Sequence, residues 1–354
     1  STDGSQAITL VGNNFGKLGY ASVTVGGVAC VETIQLSATA ALQLICMPPQ
    51  GAGTSKEVVL TFAGQSSGSN GTVMTVDYAA PSVTGATPTT FRTDGTTLIR
   101  VTGTNFGPAG TAQVTVGGRE CLQLQQTKHT EAECKPPPGV GSSVALVVTS
   151  EGQSSAPLAL AYQAPSINLL SPVSGGTSGA TQIRLFGNNL GVSAANVSVS
   201  VGGVECTGVA VAVAHQEVVA LTPPGAGTGN TVQMSVGGQA ATVLSTFSYN
   251  APVVTSMAPL EGPTEGGTRL TLTGSDFGAD ASLVTVQLGG VPDSCTAVEI
   301  VQPHANLVCT VAAGSGMSLQ VTVEVAGQTA ASPQPFTYSA PSVIAVTPIS
   351  IPEA

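Results

Sequence analysis

Cysteine is the most regularly placed reactive residue in this chain, which has 354 residues and seven cysteines. Six of the cysteines form three close pairs along the sequence, and two thiols without a second ligand pair nearby are too few for a zinc site. We therefore predict three disulfides, each closing a loop of about 15 residues and adding on the order of 3 kcal/mol to stability. The predicted pairs are Cys30 with Cys46, Cys121 with Cys134, and Cys295 with Cys309.

The seventh cysteine, Cys206, has no partner at the matching distance, because Leu221 occupies the position where a partner is expected. Two alternatives follow for this residue. Its thiol is either buried and free, or it forms a bridge to another molecule. Disulfides at the other six positions indicate an oxidising compartment.

Histidines near acidic residues are candidates for general acid–base chemistry. His129, His215 and His304 occupy equivalent loops roughly 90 residues apart, so three separate domains would carry them and they could not meet at one substrate. The sequence also lacks a nucleotide-binding loop and a nucleophile elbow. We predict no enzymatic activity and no cofactor. The carboxylates of Asp276, Asp280 and Asp293 are too few for a calcium site.

One sequence pattern occurs four times. Each copy contains G-x-N-F-G or a close variant, then V-x-V-G-G or a near match, and then a cysteine. Successive copies lie roughly 84 to 91 residues apart, a period typical of one small β domain rather than of a solenoid repeat. The pattern begins at Gly12, Gly103, Gly187 and Gly274, and the cysteines that follow it are Cys30, Cys121, Cys206 and Cys295.

The residue types in the pattern predict a strand, a tight turn and a second strand. Glycine permits positive φ or close backbone approach, and Asn or Asp at the third place tolerates the left-handed region. The Phe or Leu at the fourth place is expected to point inward. The whole pattern resembles the IPT/TIG family, the immunoglobulin-like domains of plexins, hepatocyte-growth-factor-receptor relatives, fibrocystin-like surface proteins and some transcription factors. That resemblance implies an all-β chain of tandem immunoglobulin-like β-sandwiches forming an extended rod, and it implies function only loosely.

Composition narrows the function further. The chain is 42% hydrophobic but only 8% charged, with a net charge of −10, which describes a folded chain without the basic surface that nucleic acids require. A surface rich in Ser, Thr, Gly and Gln suits an extracellular protein. No apolar run approaches the roughly 20 residues of a membrane span, so we expect no membrane insertion in this segment.

The repeats set the predicted domains, which are residues 1–80, 81–164, 165–251 and 252–340, followed by 341–354. Each junction contains Tyr, Ala and Pro in a fixed order, as in Tyr78-Ala79-Ala80-Pro81. Proline holds the residue before it extended, so one domain should pass directly and stiffly into the next. The tyrosine is expected to pack at the domain end, or alternatively to cap its own core.

The two ends of the sequence look complementary. Ser1 to Gly4 aligns with Arg92 to Gly95, so the first repeat is expected to lack its first strand. Residues 341–354 are either the first strand of a following repeat or a strand donated to a neighbouring subunit by β-augmentation. Two alternative inward-facing sets are expected for that assembly strand, which are Val343, Ala345 and Ile349, or Ile344, Val346 and Ile351.

These patterns predict a non-catalytic extracellular structural or adhesive protein, a subunit of a surface fibre that joins itself head to tail. The alternative is an ectodomain segment of a cell-surface receptor or adhesion protein. A carbohydrate-binding module is a second alternative, although the chain has no Trp and 4% aromatic residues. Asn70 and Asn196 lie in glycosylation sequons, so covalent glycans are expected there.

Overall fold

The computed structural model describes residues 1–15, 19–36, 43–67, 73–243 and 245–347. Apart from short 3-10 turns, such as Ala194–Asn196 and Ala281–Leu283, the regular structure of those residues consists of β-strands. The chain divides into two compact units, residues 1–164 with 237–239 and residues 165–236 with 240–354. The first unit contains repeats one and two, and the second contains most of repeat three and all of repeat four.

Repeat one consists of two sheets packed face to face. Its first sheet has the order β1-β5-β4, and its second has the order β3-β2-β6-β7, with β8 also on β6. Buried residues from both sheets, including Leu44 and Val23, form one core. The strands are β1 Ile8–Val11, β2 Ala21–Val25, β3 Val28–Ala29, β4 Glu32–Gln35, β5 Gln43–Met47, β6 Lys56–Phe62, β7 Gln65–Ser66 and β8 Met74–Val76.

Repeat two has a first strand that closes the first sheet. The sheets have the orders β14-β15-β11-β9 and β10-β18-β16-β12-β13, with β17 on β16, and residues from both form the core. The strands are β9 Ser82–Thr87, β10 Thr90–Phe91, β11 Ile99–Thr104, β12 Ala112–Val116, β13 Arg119–Glu120, β14 Leu122–Lys128, β15 Glu131–Lys135, β16 Val144–Ser150, β17 Gln153–Ser154 and β18 Leu158–Tyr162.

Repeat three keeps the same plan. Its sheets have the orders β24-β25-β21-β19-β28 and β20-β29-β26-β22-β23. The strands are β19 Ser166–Ser171, β20 Ser174–Gly175, β21 Gln182–Asn188, β22 Val197–Val201, β23 Val204–Glu205, β24 Thr207–Val213, β25 Glu217–Leu221, β26 Asn230–Val236, β27 Gln239–Ala240, β28 Thr242–Val243 and β29 Thr246–Tyr249.

Repeat four differs because one long strand, β34, pairs with strands of both layers. The resulting order is β30-β32-β35-β34-β33-β36-β37, beside the pair β31-β38. The strands are β30 Val253–Ala258, β31 Glu261–Gly262, β32 Arg269–Ser275, β33 Val284–Leu288, β34 Val291–Gln302, β35 Asn306–Val311, β36 Val321–Val325, β37 Gln328–Ala331 and β38 Thr337–Tyr338. The predicted all-β fold of tandem immunoglobulin-like domains is confirmed.

The V-x-V-G-G element is a β-hairpin. In repeat two, Val114 and Val116 alternate into the core, and β12 turns into β13 through Gly117 and Gly118. Both glycines have positive φ, 59° and 74°, which is the requirement of a type I′ turn. A two-residue turn of this type fixes the register of the strands that follow.

The G-x-N-F-G element follows the first long strand of each sandwich. Asn105 has φ 59°, the left-handed conformation that Asn tolerates, and Phe106 is fully buried. A side chain on Gly103 would collide with the carbonyl of Ser82 on β9 and with the Phe106 ring. The inward aromatic residue and the left-handed Asx predicted from the sequence are therefore both present.

Disulfides join the two cysteines of repeats one, two and four. Their Cα atoms are 5.8, 5.8 and 5.6 Å apart, within the usual disulfide range. Cys206 is buried and free. Burial raises the pKa of its thiol to about 11, so the thiol is protonated and unreactive at neutral pH.

The expected position of the missing partner is corrected by one residue. Cys134 pairs with Ile99 across the sheet, and the same register in repeat three pairs Ile183 with Ala220. Ala220, rather than Leu221, therefore occupies the cysteine position. The prolines after this strand lie at different distances from it in different repeats, so counting back from them indicates Leu221 instead of Ala220.

Changing Ala220 to Cys should create a fourth disulfide with Cys206. The backbone at Cys206 matches that at Cys121, since each N–H donates to the equivalent valine carbonyl, at 2.8 and 2.9 Å. We expect stabilisation of about 2–3 kcal/mol, measured by thermal melting with and without reductant. Leu221→Cys is the matched control, and a disulfide in the control but not in Ala220→Cys would contradict the assigned register.

Candidate functional site: the interdomain clasp

The histidine loops pack against the G-x-N-F-G elements. The carbonyl of His129 accepts a hydrogen bond from Phe106 N at 2.8 Å, and that of His304 accepts one from Phe277 N at 3.2 Å. Each histidine loop therefore lies beside the Asx residue that precedes the buried phenylalanine. This pairing places an amide or carboxylate and an imidazole together at one end of the domain.

In the first unit, that end of repeat two holds a threonine of repeat one. The Thr2 N–H donates to Asn105 Oδ1 at 3.3 Å. The Thr2 hydroxyl lies 3.0 Å from His129 Nδ1. The threonine is positioned by its own domain, since its carbonyl accepts from Gly51 N at 3.0 Å.

The second unit repeats this contact between repeats three and four. The Thr177 N–H donates to Asp276 Oδ1 at 2.9 Å, and the Thr177 hydroxyl lies 3.3 Å from the same oxygen and 3.0 Å from His304 Nδ1. Two domain pairs with different sequences thus use the same four atoms, which are the threonine N and Oγ1, the Asx Oδ1 and the histidine Nδ1. We name this Thr–Asx–His arrangement the clasp.

The threonine of the clasp is buried in both units. Thr2 and Thr177 are 1% and 0% exposed. Thr264 stands at the same sequence position in repeat four, and it is exposed. A threonine hydroxyl removed from water needs hydrogen-bond partners, and the Asx and His of the following repeat supply them.

A glutamine makes a second contact at each junction. Gln153 Nε2 donates to the carbonyl oxygen of Tyr78 at 3.1 Å, and Gln328 Nε2 donates to that of Tyr249 at 3.1 Å. The acceptor is the tyrosine that precedes the Ala-Pro linker in each case. Each of these junctions is therefore held by the glutamine as well as by the clasp.

Small residues allow the domains of each junction to approach closely. A side chain on Gly107 would lie 3.2 Å from the Cβ of Ala52 in the preceding repeat, and one on Gly278 would lie 3.9 Å from that of Ala226. Ala52 is buried, and Ala226 packs against the core of repeat four. Larger side chains here would separate the groups of the clasp.

The junction tyrosines cap their own domains, the alternative considered above. Tyr78 and Tyr249 each donate from the hydroxyl to a proline carbonyl of the same repeat, at 2.8 Å in both cases. Burial raises the pKa of both phenols. The side chain thus fixes the domain end, while the backbone carbonyl of the same residue accepts from the next domain.

The three aspartates considered above for a calcium site are placed separately. Within the residues that the structure describes, no group of three His, Cys, Asp or Glu could hold a metal ion. Asp276 belongs to the clasp, and Asp280 accepts from the backbone and hydroxyl of Ser282 at 2.9 and 2.7 Å. Asp293 has left-handed φ, 56°.

The other predicted sites are placed as follows. Asn196 ends a 3-10 turn before β22 and is exposed, whereas Asn70 lies outside the described residues. In the assembly segment, Val343, Ile344 and Val346 are 80%, 95% and 70% exposed, and Ile349 and Ile351 lie outside the described residues. The described part of the chain contains no helix long and apolar enough to span a bilayer.

Sequence reasoning missed the threonine and glutamine of the junction. A signal was present for both. Thr occupies the second place of STDG, RTDG, GTSG and PTEG, and a Gly-Gln pair occurs near the end of every repeat. Thr and Gln are both common on protein surfaces, so only their recurrence at the same position of each repeat sets these residues apart.

The family of the chain is established by comparison. The IPT/TIG domain model matches residues 1–76, 81–162, 165–249 and 252–338. Those matches cover nearly the whole sequence, and the chain belongs to the IPT/TIG domain family.

Similar proteins include plexins and fibrocystin-L. The chain is 34% identical to plexin-2 of Caenorhabditis briggsae over 194 residues, 52% of this chain and 11% of that protein. It is 25% identical to human fibrocystin-L over 280 residues, 76% of this chain and 6% of that protein. The matched part is thus about a tenth or less of these relatives' length.

A structure of the full extracellular region of plexin A4 is also similar, with a TM-score of 0.26 and 14% identity over 94% of this chain and 48% of that one. The superposition is too weak to add to the family match. The plexin relatives and the disulfides identify this chain as extracellular or cell-surface.

Replacing Thr177 by Val should loosen the junction between repeats three and four. Valine has the same shape but lacks the hydroxyl that bonds to Asp276 and His304, and it keeps the backbone N–H that donates to Asp276. We therefore expect the domain contact to weaken by about 1–2 kcal/mol. Spin labels at the exposed Thr231 and Thr285 should then give a broader distance distribution. Thr264→Val, at the exposed equivalent position, should leave that distribution unchanged. Equal widths in Thr177→Val and wild type would contradict the clasp.

Asn196 should carry an N-linked glycan when the chain is secreted from eukaryotic cells, because its side chain is exposed in a sequon. Intact-mass analysis before and after endoglycosidase treatment would measure the glycan. Ser198→Thr preserves the sequon and should keep the glycan, and Ser198→Ala should lose it. An unmodified Asn196 in the secreted wild type would show the prediction to be wrong.

Proposed function

We propose that the chain is part of the ectodomain of a cell-surface receptor or adhesion protein, and that its four repeats act there as a spacer. In this function, the repeats hold a binding domain elsewhere in the protein at a set distance and angle from the membrane. The observation that carries the proposal is the clasp. A spacer of fixed geometry needs a specific contact at the junctions, whereas flexible linkers need none.

The other contacts at the junctions also support a spacer function. The Ala-Pro linker, the glutamine bond to the tyrosine carbonyl and the close packing of Ala52 on Gly107 all restrict rotation of one domain against the next. Resemblance to plexins and fibrocystin-L supports a receptor or adhesion context.

The intact protein should fractionate as an integral membrane protein. An antibody against repeat two should stain cells without permeabilisation, and the antigen should stay with the membrane pellet after extraction at alkaline pH. A peripheral surface protein is the control for complete extraction. Recovery of the intact protein in the extracted or secreted fraction would exclude a membrane-anchored receptor.

A further inference from the structure

Strand β24 of repeat three lies at the edge of its sheet. In the described part of the chain it pairs with β25 alone, so the backbone N–H and C=O groups along its outer side have no strand partner. The strand has seven residues, Thr207–Val213, and none of them is charged or is proline. An apolar edge of this kind is a template for pairing with another strand.

The corresponding edge strands of the other repeats carry charged residues, which oppose association through a strand edge. Glu299 of β34 occupies the place of Ala210 in β24, since each follows the first cysteine of its repeat by four residues. Strand β14 contains Lys128, and β4 contains Glu32. Register shifts occur in β14, β24 and β34 alike, so the absence of charge is what sets β24 apart.

The sequence of β24 is symmetric about Val211. Residues 209–213 read Val-Ala-Val-Ala-Val, which is the same in both directions. If two copies pair antiparallel about a two-fold axis at Val211, Val209 faces Val213 and Ala210 faces Ala212. Residues of equal size then meet, and no like charges face each other. The strand is therefore complementary to a second copy of itself.

The uncharged surface continues into the neighbouring strand. Val219 and Leu221 of β25 pair with residues of β24. The same places in repeat two are occupied by Glu133 and Lys135, which pair with β14. The whole chain has a net charge of −10, and such a charge opposes the approach of two copies. An uncharged area two strands wide is where that repulsion is weakest.

The acidic residue of β25 is neutralised within repeat three. Glu217, which pairs with Val213 across the strands, accepts hydrogen bonds from Nε and Nη2 of Arg184 at 2.7 and 2.6 Å. The Glu217 side chain is only 7% exposed. Because its charge is buried and paired with a cation, this carboxylate adds little repulsion at the edge.

We propose that two copies of this chain associate through β24, and that the two strands pair antiparallel about a two-fold axis at Val211. This inference goes beyond the spacer function. Pairing satisfies the backbone donors and acceptors along both free edges and joins two sheets into one. It also covers the half-buried side chains of Val209 and Val211. A two-fold contact is complete with two copies, so the product is a dimer.

Cross-linking tests this register directly. Chains carrying Ala210→Cys are mixed under mild oxidation with isotopically labelled chains carrying Ala212→Cys, since facing residues in an antiparallel pair lie within disulfide reach. We expect a disulfide-linked dimer whose intact mass shows one chain of each kind. Mixing Ala212→Cys with Glu299→Cys, the equivalent exposed position of repeat four, should give none. Equal or greater yield in the control, or no dimer in either mixture, would overturn the proposal.

Sedimentation of the full chain measures the association independently. Ala210→Glu combined with Ala212→Glu should weaken it at least about tenfold, because each new carboxylate faces a like charge in the other copy. Both alanines are exposed, so thermal melting should stay unchanged. Chains with Ala210→Lys and Ala212→Lys should form mixed dimers with this acidic variant. A monomeric wild-type chain at high concentration would overturn the proposal in favour of a strand from another protein. Undiminished association of the acidic variant would also overturn it.

Discussion

The buried threonine hydroxyl at the end of a repeat is the constraint on which the junctions depend. Thr2 and Thr177 are removed from water and must find hydrogen-bond partners in the next domain. Those partners exist only if an Asx residue adopts the left-handed conformation and a histidine loop packs beside it, as Asp276 (φ 60°) and His304 do. One polar contact thereby links the signature of one repeat to the threonine of the repeat before it.

This link explains why the G-x-N-F-G element contains one residue that is buried in its own domain and one that contacts the neighbouring domain. Phe106 fills the interior of its own sandwich, and Asn105 beside it faces the neighbouring domain. Folding of one domain therefore orients the group that binds the next. Because Asn105 and Phe106 are consecutive, the stability of the domain and the geometry of the junction depend on the same short element. This element can therefore recur in several repeats.

Disulfides stabilise single sandwiches, whereas the clasp joins one domain to the next. They join Cys121 to Cys134 in repeat two, and the loop that this bond closes contains His129 of the clasp. Repeat three folds with Cys206 unpaired and Ala220 opposite. The covalent bond therefore adds to a fold that burial of the alternating valines already specifies.

The sequence by itself determined the number of repeats, their fold class and the three cysteine pairs, because these depend on local spacing and on alternation within single strands. Only the tertiary structure revealed the clasp. Thr2 and His129 are in contact although they are 127 residues apart in the sequence, and a local sequence pattern does not predict such a contact. It also corrected Leu221 to Ala220. That correction depends on register, which is set by pairing with a neighbouring strand and cannot be derived from the period of a single strand.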